Sequence, residues 1–254
     1  MKFLLFRLLP FLAAVLGAVA ALFQWRDPQL YPWPFVWFGL FYVFAIVLLT
    51  RGRLPWLEAV SKSVPSVLAL TAAALSMLVV EGDWAHWFFV GLFALVPYIV
   101  LELLFLLAWA PVRYPVNSVS RLNIAFFILS CCFIAFAFDG LQIFLRFPSW
   151  VVLLLMALWT AGGYVLTSHP TATRKSKERW GVIGACVGLQ AGLLVVALPN
   201  SMLVLGTTCA LLVGIPLRAR RYSFHPLPAL RTAWIEGGLC LVLFTGVLFV
   251  ARWT

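Results

Sequence analysis

Charge is what this sequence has least of. Asp, Glu, Lys and Arg make up only 10% of the 254 residues, whereas 64% are hydrophobic. A soluble domain carries about a quarter charged residues. So little charge excludes water as the solvent for most of the chain, and a bilayer takes its place. Acidic charge is scarcer still, with 8 carboxylates against 18 Lys and Arg. Motifs are missing as well. There is no His-Glu-x-x-His helix, no Gly-x-Ser-x-Gly elbow and no Gly-rich phosphate loop, so the chemistries they support have no footing here. The five cysteines (Cys131, Cys132, Cys186, Cys209, Cys240) all fall within apolar runs and lack metal spacing. Their odd number argues against a disulfide framework and for small packing residues. The three histidines are scattered, so no metal and no cofactor are expected.

What the sequence does have is long apolar runs. At about 20 residues per span they divide into nine, near 3–23, 33–50, 64–80, 84–110, 122–138, 150–168, 180–198, 201–217 and 232–251. The expected fold class is all-α, a polytopic transmembrane helical bundle forming one integral membrane domain over 1–254. The first run has a basic start and an Ala18-Val19-Ala20 ending like a signal peptide, but it is long enough to span and is read as retained. Pro65 is expected to open the third span, where its missing N–H would be unpaired anyway. Pro97 is expected to kink the fourth. The fifth is expected to stop at Asp139-Gly140, leaving 141–147 along the surface and no aspartate inside any span.

The distribution of basic residues sets an orientation. With the N-terminus cytoplasmic and the C-terminus outside, only Arg26, Arg146 and Arg252 of the eighteen Lys and Arg lie on the outer side. Asp27, Glu81, Asp83 and Asp139 fall outside in the same arrangement. Every inner connection is then the more basic, as the positive-inside rule requires, and the expected location is a bacterial-type inner membrane. The net charge of +10 is thereby assigned to loops facing anionic headgroups, not to nucleic acid.

Chemistry is concentrated in the run 84–110, where Glu102 interrupts an otherwise hydrocarbon helix. An acid at the helix centre costs about 2.5–3.5 kcal/mol to insert, and each Leu, Ile, Phe or Val returns about 0.3–0.6. The Leu-rich surroundings therefore carry Glu102 into the bilayer without a partner. An intramembrane carboxyl is either a packing group or a functional one. Tyr98 lies one turn earlier on the same face, and Arg7, Asn123 and Glu236 enter the same inner half from other helices. These five residues are the expected ligand or proton site. In the seventh span, Gly184, Gly188 and Gly192 recur every fourth residue, a pattern for close helix approach within the chain or against a membrane protein partner. The expected role is a non-catalytic, transporter-like component that binds a lipid or small ligand. The alternatives are a transferase or hydrolase acting on a lipid-linked substrate through Asp27, Glu81 and Asp83, and a scaffold subunit.

Overall fold

The computed structural model describes residues 2–114, 118–168, 173–197, 202–220 and short helical pieces between 234 and 246. Most of the expected ninth span, with Glu236, lies outside the described residues. The chain is all-helical, with no strand among the described residues. Seven helices are long and apolar enough to cross a membrane. They are α1 (Lys2–Arg26), α2 (Trp33–Thr50), α3 (Trp56–Ser76), α4 (Asp83–Trp109), α5 (Ser118–Leu145), α6 (Ser149–Leu166) and α7 (Arg174–Ala197). A shorter apolar helix, α8 (Met202–Ala219), follows.

Three helices extend beyond the apolar runs that mark them. α3 starts at Trp56, so Pro65 sits inside the helix and not at its opening. The extra turns carry Glu58 and Lys62, paired at 2.6 Å one turn apart, which supports helix where hydropathy alone reads loop. α7 starts at Arg174, with the Thr173 hydroxyl accepting from the Ser176 N–H at 3.3 Å as an N-terminal cap. α5 runs straight through Asp139-Gly140 to Leu145. Asp139 is accordingly buried within a helix instead of solvated in a loop. A single glycine costs a helix only about 1 kcal/mol, and the Leu-Gln-Ile-Phe-Leu that follows carries the helix on.

The chain forms two compact units, Met1–Ser130 and Cys131–Thr254. In the first, α1 and α4 pack antiparallel along their whole length. Phe6 meets the Trp109 ring at 4.8 Å, Phe11 meets Tyr98 at 5.1 Å, and Trp25 meets both His86 and Trp87 at 5.3 Å. Midway along, Gly17 lies directly against the Phe93 carbonyl. α2 joins this pair through Phe35 and Phe38, whose rings sit 4.8 and 5.9 Å from Phe93. The Leu49 carbonyl accepts the Trp109 indole N–H at 3.1 Å.

In the second unit the closest contact is α6 on α7. The glycine row of α7 receives α6: a methyl at Gly188 would stand 2.8 Å from Ala157 Cα, and one at Gly184 2.9 Å from the Thr160 carbonyl. Backbones this close let the Thr160 hydroxyl reach the Gly184 carbonyl at 2.8 Å. α8 packs Gly206 under the Phe136 ring and offers the Val213 carbonyl to the Tyr164 hydroxyl at 2.9 Å.

Candidate functional site

Glu102 lies in the second half of α4, between the buried Leu101 and the buried Leu104 and Phe105, and is itself half-buried. Among the described residues it has neither a hydrogen bond nor an ion pair. Tyr98, one turn earlier, is half-buried with its ring edge-on to Phe11. The antiparallel register of α1 and α4 brings Arg7 near the level of Glu102, yet Arg7 is exposed and no ion pair joins them. Asn123 is buried at 6% exposure on α5 and donates to the Ser61 carbonyl at 3.4 Å. No hydrogen bond links Glu102, Tyr98, Arg7 or Asn123 to one another. Glu236 lies outside the described residues.

The helical prolines explain which carbonyls are open to such contacts. A proline inside a helix cannot donate to the carbonyl four residues earlier. Pro65 therefore leaves the Ser61 carbonyl free, and the Asn123 amide occupies it. Pro97 leaves the Phe93 carbonyl free, and Gly17 presents its bare Cα there, the geometry of a weak Cα–H···O contact between helices. Pro216 leaves the Leu212 carbonyl free, and the adjacent Val213 carbonyl accepts from Tyr164. At two of the four prolines inside described helices, Pro65 and Pro97, the freed carbonyl thus coincides with a contact to another helix.

Asn123 itself is only half satisfied. Its Oδ1 is buried with no partner among the described residues, as are Gln24 Oε1 at the end of α1 and one guanidinium nitrogen of Arg220. Buried polar atoms are rarely left so.

Arg220 is the residue that sequence reasoning missed. It follows α8 and belongs, by sequence, to a basic loop. In the structure it is 5% exposed, with its guanidinium 4.9 Å over the Trp180 ring and Nη1 donating to the Tyr164 carbonyl at 3.2 Å. That carbonyl sits in the last turn of α6, the end where a helix favours a cation. Burial lowers the Arg220 pKa, and the neighbouring Tyr164 opposes that shift. Arg220 thus ties α6, α7 and α8 together at one end.

The acidic residues of the enzyme reading, Asp27, Glu81 and Asp83, lie at the end of α1 and the start of α4. Asp27 is exposed and its carboxylate accepts from the Gln29 N–H at 3.2 Å, while Glu81 and Asp83 are exposed near the start of α4. Among the described residues no group of three or more His, Cys, Asp or Glu could hold a metal. Cys131, Cys132, Cys186 and Cys209 form no disulfide among the described residues. No family model, curated protein or solved structure matches the chain. The fold and composition define a helical protein suited to a membrane.

Proposed function

We propose that the chain is a polytopic membrane component of nine spans, with its N-terminus cytoplasmic, that binds a small or lipid-like ligand at Glu102. The observation that carries this reading is a half-buried carboxylate with no partner among the described residues, in the second half of an apolar helix. Ionisable groups at such positions mark ligand, ion or proton paths more often than packing accidents. Tyr98, steadied by Phe11, supplies a second polar group one turn away. The orientation rests on the Lys and Arg distribution, and it sets Glu102 in the inner half of the bilayer.

The test is direct. Dicyclohexylcarbodiimide, an apolar reagent that couples to carboxyl groups in lipid, should modify Glu102 in the membrane-embedded protein. Native mass spectrometry of the gently purified protein should then show a bound small molecule that Glu102→Gln loses while remaining folded and monodisperse. An unmodified Glu102, or a full ligand complement in Glu102→Gln, would overturn the proposal.

A further inference from the structure

A cavity of about 320 Å³ lies between α2 and α3, closed at its base by Phe93 of α4 and beginning at Tyr31 and Pro32. It is independent of the Glu102 position. Phe38, Tyr42, Leu70 and Phe93 wall it, all nearly fully buried, while Val36 and Val43 on its rim are 41% and 48% exposed. The cavity is therefore open sideways, along the faces that α2 and α3 present to the membrane. Gly39 lines it, and a Cβ added there would meet no atom within 4 Å.

The polar groups in its wall are already occupied. The Tyr42 hydroxyl pairs with Ser66 Oγ at 2.9 Å, and Ser66 in turn donates to the Ser63 carbonyl at 2.7 Å. The Thr71 hydroxyl donates to the Val67 carbonyl at 2.9 Å. Only the Tyr31 hydroxyl, at the mouth, has no partner among the described residues. Burial raises the Tyr31 pKa, which keeps it a neutral donor. An occupant therefore needs hydrocarbon along its length and a hydrogen-bond acceptor at one end.

Dimensions decide what kind of hydrocarbon. The wall residues span about 12–18 Å of helix at 1.5 Å per residue. Spread over that length, the 320 Å³ gives a section of about 20 Å². A single methylene chain, with neighbouring carbons in contact at about 4 Å, needs a section of that order. A helix about 10–12 Å across needs roughly four times more. A second copy of the chain cannot seat a helix here, and a water would find one open polar group, the Tyr31 hydroxyl, where a buried water needs about two to four.

We propose that the crevice between α2 and α3 binds one acyl chain of a membrane lipid, with the ester end of that chain at the Tyr31 hydroxyl. In the orientation proposed above, this is a lipid of the outer leaflet.

The experiment uses the full chain in phosphatidylcholine vesicles containing a phosphatidylcholine with a diazirine midway along one acyl chain. After illumination, mass spectrometry should find the label concentrated on α2 and α3 at the crevice. Gly39→Trp fills the cavity from a position with free space and should remove that label. Gly91→Trp makes the same change at an exposed glycine of α4, also with nothing within 4 Å, and should leave it intact. Should Gly39→Trp fail to insert, Gly39→Leu provides the same comparison with a smaller side chain and a partial loss. Label spread evenly over exposed residues such as Leu12 and Leu154, or crevice label unchanged in Gly39→Trp, overturns the proposal. So does a dimer that Gly39→Trp dissociates while the lipid label persists.

Discussion

The two units of this chain solve one packing problem in opposite ways. The first joins its helices through rings: Phe6 on Trp109, Phe11 on Tyr98, Trp25 on His86, Phe35 and Phe38 on Phe93. The second joins α6 to α7 through absent side chains, at Gly184, Gly188 and Gly192. In lipid, apolar side chains gain nothing by leaving their solvent, so association rests on contact area and interhelical hydrogen bonds. Glycine brings backbones together and makes a hydrogen bond such as Thr160 to Gly184 possible. Rings keep helix axes apart, and between α2 and α3 the separation leaves a cavity.

The comparison breaks hardest at Gly188. A leucine there meets the Met156 carbonyl oxygen and the Ala157 Cα, neither of which can yield without moving α6. Gly188→Leu should cost about 3 kcal/mol or more, measured as lost thermal stability in detergent. Gly162→Leu, at an open position on α6, should stay within about 0.5 kcal/mol. The first unit has one position of the same kind, Gly17, where a methyl would stand 3.0 Å from the Phe93 carbonyl carbon and 3.1 Å from the Phe38 ring. Gly17→Ala should cost about 1–3 kcal/mol. Because Pro97 creates the free carbonyl there, the cost should differ by more than about 0.5 kcal/mol in a Pro97→Ala background. Equal costs in the two backgrounds would separate the glycine from the proline.

Hydropathy made the apolar helices legible because it registers local composition, and local composition is what a span requires. It failed where a second local term acts. The Glu58–Lys62 pair extends α3 across Ser61 and Ser63, and a lone glycine does not stop α5 after Asp139. Glu102 stood out as the lone acid of the apolar run 84–110. The directions of its neighbours did not, since only the register of α1 against α4 turns Arg7 outward. Arg220 was illegible for a similar reason. Arg218 and Arg220 look alike in sequence, and only Trp180 and Tyr164, distant in the chain, bury the second while the first stays exposed.

Arg220 sharpens the contrast, because here the second unit uses a ring after all. A hydrogen bond to a charged group contributes about 1.5–3 kcal/mol and a cation over an indole about 0.5–2. Desolvation of a guanidinium with no carboxylate partner among the described residues works against both. Arg220→Met should therefore cost about 1–2 kcal/mol net, well below the sum. Arg220→Lys should recover only part of it, since an ammonium cannot stack flat on Trp180 while reaching the Tyr164 carbonyl.

The smallest effect carries the finest distinction, because its sign is the readout. Asn123 has two polar atoms in opposite situations: Nδ2 satisfies the Ser61 carbonyl that Pro65 leaves free, and Oδ1 satisfies nothing. Asn123→Leu removes one unpaired acceptor and exposes another, so its cost should be within about 0.5 kcal/mol of zero. In a Pro65→Ala background the restored N–H at position 65 takes the Ser61 carbonyl back into its own helix. Asn123→Leu then only removes the unpaired Oδ1, and it should stabilise by about 1 kcal/mol. If instead Asn123→Leu destabilises in both backgrounds, Oδ1 has a partner in the membrane-embedded protein, and Asn123 contributes more than the fastening of α5 to α3.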